Sequence, residues 1–396
     1  RDALFAGHSA ADSMKIAQVC PYDMDRPGGV QAHIRDLGTA LMEMGHEVTI
    51  LAPLVGEPVA RSGGPQVVRL GRARKIGFGG TAYEISIALG AEKKRLGTIV
   101  EQGGFDVMHY HTMWTPLLPF QVFRRSRAAN VSTFHDTPAP TFEGQLLAHL
   151  FRAISERLLP KLDGVITPSE APLAHLAKVG PPVHILPPST DLSRFAAARL
   201  SKRARFDDGR INILFLGRLE TRKGAALLLD AYRRLITDEL PVRLIIAGKG
   251  EKENALREFG AAPALPNLEF IGGFFDDDAP PLSAACEILC APAPYGESFG
   301  IVIAEAMASG KPVVAAANAG YRTLLTGEGA RFLTPPGDVD ALTDGLRTLV
   351  NDADLRAKLG EWGRRNAMNY DARSVAPKFV AVYEEAIARF KARKAI

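Results

Sequence analysis

The amino-acid sequence predicts two α/β domains, each built on a parallel sheet with helices on both faces. Short, almost continuously apolar runs typical of buried strands alternate with longer segments whose apolar residues recur at helical spacing. This alternation stops around residues 187–210, which carry two prolines, three serines and a charged stretch, and then starts again. A length of 396 residues also fits two domains better than one. Two such domains joined once in the middle form a cleft.

The same pattern divides the chain into five segments. Residues 1–13 contain no long apolar core and precede a Met-Lys-Ile start, so we interpret them as a tag remnant or loose extension. Residues 14–190 are predicted to form the first domain and residues 211–371 the second, with 191–210 as the linker. The stretch 372–396 is predicted to be a C-terminal helix that crosses back to the first domain.

In the first domain, each predicted strand is a short apolar run bounded by turn residues. A glycine-containing loop follows the first strand and leads into a helix over Val30–Met44, whose apolar residues lie at helical spacing. The predicted strands are Lys15–Cys20, Glu47–Ala52, Asp106–Tyr110, Asn130–Phe134, Gly164–Thr167 and Val183–Leu186.

The second domain repeats this pattern, with short apolar runs typical of strands alternating with segments whose apolar residues lie at helical spacing. The strands are predicted at Ile211–Leu216, Val242–Ala247, Leu268–Ile271, Ile288–Ala291 and Pro312–Ala315. The helices of this half of the chain are predicted at Lys223–Thr237, Ser298–Ser309, Val339–Asn351 and Ala372–Lys391.

Composition and charge exclude several classes of protein. A hydrophobic share of 46% and a charged share of 23% support a packed core rather than disorder. The net charge of +4 is far below that of a dedicated nucleic-acid binder, so no nucleic-acid partner is expected. No apolar run reaches the roughly 18 residues that cross a membrane. Three separated cysteines cannot form a disulfide framework, which favours a reducing, cytoplasmic compartment.

Three familiar motifs are incomplete. Residues 296–300 match G-x-S-x-G around Ser298, but that hydrolase motif needs a later histidine, and none of the nine histidines follows it. The Gly-Lys-Gly at 248–250 lacks the third glycine of a dinucleotide-binding loop. His109 and His111 share one face of a predicted strand without an evident third ligand, so no metal site is expected.

A dispersed set of residues at predicted strand ends suits an anionic ligand. Gly28 and Gly29 follow the first strand and open a helix, so their backbone N–H groups can approach a phosphate closely. Arg218 and Lys223 follow the first strand of the second domain, and two cations there suit a pyrophosphate. The amides of the helix predicted to start at Ser298 favour an anion in the same region.

Two glutamates mark the segment around that helix. Glu297 and Glu305 are eight residues apart, a separation at which helical positions share a face. Glu305 is embedded in the otherwise apolar run 300–308, where a carboxylate needs hydrogen-bond donors such as ribose hydroxyls. The alternative, in which Glu297 caps the helix and Glu305 is a surface charge, stays open at this point.

Several stretches taken together resemble glycosyltransferase family 4, whose members are retaining enzymes of the GT-B fold that use nucleotide sugars. The resemblance runs from Met14 to about Tyr383 and rests on CPYDMDRPGGVQAHIRDL, STFHDT, ITPSE, LGRLETRKG and ESFGIVIAEAMASGKPVVA. The opening stretch and ESFGIV look most like the phosphatidylinositol mannosyltransferases of that family. The resemblance implies two Rossmann-like domains that face a central cleft, an acceptor domain first and a nucleotide-sugar domain second.

By this resemblance, the chain moves a hexose, mannose before glucose, from a nucleotide diphosphate sugar to a lipid-linked or polysaccharide acceptor. No cofactor and no metal are expected. The implied catalytic residues are His135 beside the sugar, Glu297 on its hydroxyls, and Arg218 and Lys223 on the pyrophosphate. Glu305 would bind the ribose, and Ile271 and Gly272 would border the base. The donor-binding set is Gly28, Gly29, Arg218, Lys223, Ile271, Gly272, Glu297, Ser298, Phe299, Gly300, Ile301 and Glu305.

Two other classes of enzyme stay open as alternatives. A nucleotide-sugar epimerase can share the two-domain architecture but moves no sugar to an acceptor. A phosphorylase is a third class, although nothing in the sequence indicates a lysine-bound cofactor. Release of free nucleotide diphosphate distinguishes transfer from epimerisation.

The basic residues are concentrated in one region of the first domain. Residues 60–130 contain eleven lysines and arginines against four acidic residues, with apolar side chains among them. Such a surface is typical of docking to anionic lipid or to a phosphorylated lipid acceptor, and the alternative is an ordinary solvated face. We therefore expect a cytoplasmic protein that docks on the inner face of the cytoplasmic membrane. The acceptor or membrane surface is predicted at Arg69, Arg72, Arg74, Lys75, Arg124 and Arg125.

Overall fold

The computed structural model describes residues 13–26, 28–54, 63–78, 81–113, 117–198, 206–261, 263–273 and 276–395. Within them the chain forms two separate sheets, each with a hydrophobic core on both faces. The predicted pair of α/β domains is therefore confirmed. Residues 1–12 of the predicted extension and residues 199–205 of the predicted linker lie outside the described residues.

The first sheet has eight strands, which come from the first half of the chain. They are β1 (Lys15–Val19), β2 (Glu47–Leu54), β3 (Gln66–Phe78), β4 (Thr81–Ile87), β5 (Val107–His111), β6 (Ala129–Thr133), β7 (Gly164–Thr167) and β8 (Val183–Ile185). Their order is β4-β3-β2-β1-β5-β6-β7-β8, so the sheet grows outward in both directions from β1. In β1, β5, β6 and β7 nearly every residue is buried, as expected for strands covered on both faces.

The second sheet has six strands in the order β11-β10-β9-β12-β13-β14, and all the pairs are parallel. It grows outward from β9 in the same way as the first sheet does from β1. The carboxyl ends of β9 and β12 therefore lie side by side. The strands are β9 (Ile211–Leu216), β10 (Val242–Ala247), β11 (Leu268–Gly272), β12 (Ile288–Ala291), β13 (Val313–Ala316) and β14 (Leu333–Thr334).

Thirteen α-helices lie within the described residues, and most of them cover the two sheets. They are α1 (Gly29–Glu43), α2 (Gly90–Gln102), α3 (Leu118–Phe123), α4 (Phe142–Leu158), α5 (Ser193–Ala198), α6 (Ala225–Thr237), α7 (Glu253–Ala261), α8 (Ala279–Ala284), α9 (Ile301–Ala308), α10 (Tyr321–Leu324), α11 (Val339–Asn351), α12 (Ala353–Ala367) and α13 (Ala372–Lys394). No described helix combines the length and the apolar character that crossing a bilayer requires.

The last helix returns to the first sheet. Helix α13 packs against β6 and α1, and its Phe379 and Tyr383 are fully buried there. The end of the chain therefore covers one face of the first domain, beside the histidines of β5.

One edge of the first sheet differs from the prediction of a parallel sheet. Strands β3 and β4 pair antiparallel, from Arg72 opposite Ile87 to Phe78 opposite Thr81. The sequence carries Gly79 and Gly80 between these two runs, and a Gly-Gly pair is a signature of a tight hairpin. The two strands were missed because basic and glycine residues interrupt β3 and polar residues interrupt β4, so neither has the continuous apolar character of the central strands.

The start of α9 also differs from the prediction. The helix begins at Ile301 and not at Ser298, because Gly296 and Gly300 adopt left-handed backbone conformations with φ of 75° and 108°. Glu297 therefore lies in a loop before the helix. Its place before the predicted helix agrees with the structure, but helical spacing does not relate Glu297 to Glu305, because only Glu305 is on the helix.

The predicted linker contains regular structure of its own. Residues 193–198 form α5, and Phe195 is buried in the same core as Leu282 of α8. The alanines of this stretch favour a helix, and one large apolar residue anchors it in the core, although the stretch also carries charged residues.

Candidate active site

A compact charged group lies at the carboxyl end of β9 in the second domain. Glu297 is only 9% exposed and accepts from Lys223 Nζ at 2.5 Å and from Arg222 Nη1 at 3.1 Å. Arg222 Nε also lies 2.9 Å from Glu220, and Arg218 Nη1 lies 2.7 Å from the other oxygen of Glu220. The predicted residues Arg218, Lys223 and Glu297 are therefore brought together. We call these five side chains the charged cluster.

The loop that carries the charged cluster is placed by a glycine. Lys223 ends a single helical turn over residues 221–223, and Gly224 follows with φ of 75° at the start of α6. A Cβ at Gly224 would lie 2.3 Å from the carbonyl oxygen of Pro292, which follows β12. Only glycine allows both the left-handed turn and this close approach, so it draws Lys223 toward the Glu297 loop.

Glu297 and Lys223 hold each other in their charged forms. Burial alone raises the pKa of Glu297, but the positive charges of Lys223 and Arg222 outweigh burial and bring the pKa below its ordinary value. Burial lowers the pKa of Lys223, and the Glu297 carboxylate opposes that shift. Three cations around two carboxylates leave a positive excess at this strand end, which suits an anionic ligand.

Arg222 was missed by the sequence argument, although it lies between two residues that were selected. It makes the most contacts in the cluster, since it also donates to the carbonyl of Gly296 at 3.0 Å. Its side chain is 14% exposed, whereas that of Arg218 is 48% exposed. The available signal was a third cation in the same short loop. What the sequence could not show is that the Arg222 side chain turns toward Glu297.

Ser298 connects the two domains beside His135. The Ser298 hydroxyl lies 2.8 Å from the Thr137 hydroxyl and donates to the backbone carbonyl of His135. The Ser298 carbonyl accepts from Ser169 Oγ at 2.6 Å. These bonds hold the loop of the charged cluster against the ends of β6 and β7, so the predicted residues His135 and Glu297 flank the same junction.

The start of α9 faces the start of α1 across the cleft. A Cβ on Gly29 would lie 3.2 Å from Cδ1 of Ile301, so glycine allows this close approach. Glu305 lies four residues after Ile301, on the same side of α9, and both side chains are partly exposed. Phe299 is buried, and a Cβ on Gly300 would collide with the ring of Tyr321. The helix amides therefore follow Gly300 and not Ser298.

The remaining predicted residues lie elsewhere. Ile271 and Gly272 end β11, which is separated from β9 by β10, and Gly272 has φ of 83°. They are therefore roughly 10 Å from the charged cluster in the strand-to-strand direction, as two strand spacings require. Gly28 precedes α1 beside the side chain of Gln31.

The first domain contributes a group of four histidines on its side of the cleft: His33 of α1, His109 and His111 of β5, and His135 after β6. His111 Nδ1 lies 3.0 Å from His135 Nε2, and His111 Nε2 lies 3.1 Å from Gln18 Oε1. His109 instead bonds the hydroxyls of Tyr383 and Thr133. Burial is the main cause that holds the pKa of all four imidazoles below 6.5, so the group is uncharged at neutral pH.

Three of these histidines form the only group among the described residues whose geometry could hold a metal ion. The ligand atoms of His33, His111 and His135 lie within 4.8 Å of one another, so the third ligand absent from the sequence argument comes from other elements. The hydrogen-bond pattern opposes a metal, however. His33 Nδ1 accepts from the backbone N–H of Ser189 at 2.7 Å, which places the ring proton of neutral His33 on Nε2. Both nitrogens of His111 are also engaged.

Asp136 is a second residue that the sequence argument did not select. It follows His135 directly, and its buried Oδ2 makes no hydrogen bond to a described residue. Burial raises the pKa of Asp136 to about 6, against the opposing attraction of Arg222 and Arg218. The quoted stretch STFHDT contained it, but its proximity to the arginines of the other domain is a tertiary feature.

The predicted basic surface lies on β3 and directly after α3, with α2 beside it. Arg72 and Arg124 are exposed, as are Lys93, Lys94 and Arg95 on the first turns of α2. Arg69 is engaged with Asp25 at 2.6 Å, and Arg125 lies 3.6 Å from Glu101. For Arg74 and Lys75 the structure describes the backbone on β3 and not the side chains.

The sequence matches two family models, one for each domain. The model described as glycosyltransferase family 4 matches residues 27–194, and the model described as glycosyl transferases group 1 matches residues 197–366. The first covers the histidine group and the second covers the charged cluster.

Known proteins resemble the chain over almost its whole length. It is 34% identical to a phosphatidyl-myo-inositol mannosyltransferase of Mycolicibacterium smegmatis over 94% of each chain. Among solved structures, sucrose-phosphate synthase of Thermosynechococcus elongatus superimposes with a TM-score of 0.76 at 22% identity, covering 95% of this chain and 100% of that one. HepE of Anabaena, in complex with UDP and glucose, gives 0.72 at 19%, covering 94% and 99%. The two domains and their cleft thus have the GT-B fold, and the chain belongs to glycosyltransferase family 4 as a hexosyltransferase.

Proposed function

We propose that this enzyme transfers a mannosyl residue from a nucleotide diphosphate sugar to a lipid-linked acceptor of the phosphatidylinositol type. The observation that carries the proposal is the charged cluster at the end of β9, which Ser298 ties to the backbone of His135. An excess of positive charge and an uncharged group of histidines therefore lie on opposite sides of the contact that Ser298 makes.

The charged cluster suits the leaving group. Breaking a bond between the anomeric carbon and a phosphate builds negative charge on the nucleotide diphosphate. Arg218, Arg222 and Lys223 are fixed cations at the strand end, and held dipoles and charges stabilise such a charge without reorganisation. In this proposal Arg218 and Lys223 contact the pyrophosphate, while the amides near Gly28, Gly29 and the start of α9 lie beside it.

The positions of the other side chains indicate the remaining contacts to the nucleotide sugar. Glu297 holds sugar hydroxyls, for which Lys223 keeps it ionised and oriented. Glu305 accepts from the ribose, on the cleft side of α9, and Ile271 and Gly272 border the base at the end of β11. Phe299 and Ser298 position the loop rather than the sugar, because the Phe299 side chain is buried and the Ser298 hydroxyl is already engaged.

We infer that the configuration at the anomeric carbon is retained through attack on the same face as the departing phosphate. Glu297 is bound by two cations, which makes it a poor nucleophile. The leaving phosphate can accept the proton of the attacking hydroxyl, so the step needs no separate base. The proposal includes no metal, and unchanged turnover in the presence of a chelator is the expected result.

The mannose and lipid assignments rest on the relatives. The Mycolicibacterium smegmatis relative is a phosphatidyl-myo-inositol mannosyltransferase, whereas HepE binds UDP and glucose. A thermal-shift screen of GDP, UDP and ADP identifies the base, and we expect the largest shift with GDP. Incubation with GDP-mannose and phosphatidylinositol vesicles should release GDP and form a mannosylated lipid. An isomerised nucleotide sugar without GDP release would contradict the proposal and support an epimerase.

We further propose that the protein works in the cytoplasm, docked on the inner face of the cytoplasmic membrane. The support is the exposed basic surface of Arg72, Arg124 and the first turns of α2. Arg72→Glu with Arg124→Glu should weaken sedimentation with anionic vesicles at low salt, and salt should weaken the wild type in the same way. Arg365→Glu, at a 70% exposed side chain of α12, is the matched control. Equal sedimentation of all three proteins would contradict docking through this surface.

A further inference from the structure

A chain of three side chains runs from the core of the first sheet to the reaction centre. Gln18 of β1 is fully buried, and its Oε1 lies 3.1 Å from Nε2 of His111. His111 of β5 is also fully buried, and its Nδ1 lies 3.0 Å from Nε2 of His135. The rings of His111 and His135 are nearly parallel, with an interplanar angle of 15°. Hydrogen bonds thus link the three side chains in order, while the rings of His33 and His109 pack beside them.

The chemistry of the groups sets the direction of both hydrogen bonds. A carbonyl oxygen only accepts, so the hydrogen in the first bond belongs to Nε2 of His111. Neutral His111 then has a bare Nδ1, which can only accept. The hydrogen in the second bond therefore belongs to Nε2 of His135.

This direction determines which nitrogen of His135 can serve a ligand. With its proton on Nε2, neutral His135 has a bare Nδ1. That nitrogen makes no hydrogen bond to any residue of the described ranges, and His135 is partly exposed. Nδ1 is therefore available as an acceptor and not as a donor.

We propose that Gln18 and His111 are positioning residues that hold His135 in the Nε2–H form, so that its Nδ1 accepts a hydrogen bond from a substrate hydroxyl during transfer. This inference rests on the proposed function, which places His135 beside the sugar. The hydroxyl belongs either to the donor sugar or to the acceptor. Neither Gln18 nor His111 touches the substrate, and they act through the proton position of His135.

The direct test is the tautomer of His135 in the intact wild-type protein. Two-bond ¹H–¹⁵N spectra of histidine-labelled protein report which ring nitrogen carries the proton, and His135→Ala identifies the signals of His135. We expect the pattern of the Nε2–H form. An Nδ1–H pattern overturns the proposal. This readout needs neither substrate nor activity, so it stays valid if the proposed function fails.

Two variants of Gln18 test the catalytic consequence. Gln18→Met removes the acceptor at similar volume, which frees His111 to populate both tautomers, and should lower kcat about tenfold, the lower end for a lost supporting contact. Gln18→Glu keeps an acceptor oxygen beside His111, because the hydrogen bond that a carboxylate accepts from Nε2–H favours its ionised form, and it should keep kcat and the spectrum close to those of the wild type. The opposite pattern, activity with Met and loss with Glu, would show that Gln18 donates and would refute the proposal.

The source of the hydroxyl follows from binding measurements on the same variants. If the hydroxyl is on the donor sugar, Gln18→Met weakens binding of the nucleotide sugar but not of the nucleotide diphosphate. If it is on the acceptor, both affinities are unchanged and only kcat falls. Thr343→Val removes a buried hydrogen bond within α11 and controls for a general loss of stability. A fall in kcat of equal size in that control would overturn the positioning role.

Discussion

The two domains present opposite chemistry to their shared cleft. The first domain contributes four histidines that burial keeps uncharged, whereas the second contributes three cations and two carboxylates in direct contact. Apart from the half-exposed Arg218, both groups are largely buried, so solvent exposure does not explain the difference. The second domain keeps its side chains charged because each has an oppositely charged partner within 3.1 Å, which offsets the cost of burial.

This contrast matches the two ends of the bond that the proposed reaction breaks. Negative charge develops on the leaving diphosphate, beside the fixed cations. Positive charge develops on the anomeric carbon, and a neutral histidine beside it adds no repulsion. One side of the cleft therefore stabilises charge, while the other offers hydrogen-bonding groups without charge.

The largest expected effect comes from removing a cation. Lys223→Ala should lower kcat about a thousandfold, the upper range for loss of one preorganised charge-stabilising group. It also leaves Glu297 with one cationic partner fewer, so some loss of stability is expected. Steady-state kinetics with the donor varied measures the effect. Lys358→Ala, at a 66% exposed lysine of α12, is the matched control and should keep wild-type turnover.

The second prediction concerns low pH, at which the uncharged histidines of the first domain should become protonated. Burial lowers the pKa of His33 to about 4 from its ordinary 6.5. Between these values the unfolded chain binds a proton that the folded chain does not, so the free energy of unfolding falls as the pH falls. The contribution is fully present above pH 6.5, and about 3 kcal/mol is lost by pH 4.

Denaturant unfolding between pH 4 and pH 7.5 measures this loss. Asp136 works in the opposite direction, because its pKa is raised to about 6 and the folded state keeps a proton there. Stability attributable to Asp136 therefore falls as the pH rises, and Asp136→Asn removes that contribution. His33→Asn should reduce the acid slope, and the slope that remains comes from His109, His111 and His135, whose pKa values burial also lowers. A slope that does not change would show that His33 is not the group that titrates.

The third prediction concerns the reaction centre. His135→Ala should lower kcat about a hundredfold while the affinity for the donor changes little, because His135 acts on the reacting sugar and not on the nucleotide. Calorimetry with the nucleotide diphosphate and turnover measurements separate these effects. His149→Ala, at an exposed histidine of α4, is the control. Full activity of the His135 variant would remove it from the mechanism.

The smallest expected effect concerns the nucleotide. Glu305→Ala should weaken nucleotide binding about tenfold, as loss of one charge-assisted hydrogen bond to a ribose implies. Calorimetry measures the affinity, and Glu361→Ala on α12 is an exposed control. An unchanged affinity would leave Glu305 as a surface charge, the alternative that its sequence position left open.

The central strands and the charged loop were predictable because their causes are local. Ile211–Leu216 and Gly164–Thr167 are continuous apolar runs, and they form strands with those bounds. Arg218 and Lys223 follow such a strand directly, so parallel-sheet geometry alone brings them to its carboxyl edge. The family resemblance then implied that these cations contact the pyrophosphate of a nucleotide sugar.

The remaining features depend on contacts between distant parts of the chain. His33, His111 and His135 come from three elements, and only packing of α1 on the sheet brings them together. Residues 298–300, directly after Glu297, were predicted as the first turn of a helix because glycine is tolerated in an apolar helical pattern. The left-handed conformations of Gly296 and Gly300 became evident only where the loop around Glu297 meets Gly320 and Tyr321.

The sequence by itself determined the two sheets, the cations at the end of β9 and the family, because apolar periodicity and short motifs are properties of neighbouring residues. Only the tertiary structure decided which side chains share protons and charges. Gln18, His111, Arg222 and Asp136 acquire their roles from partners up to about a hundred residues away. The strength of a buried charge or hydrogen bond depends on the few ångströms around it, and packing alone sets those distances.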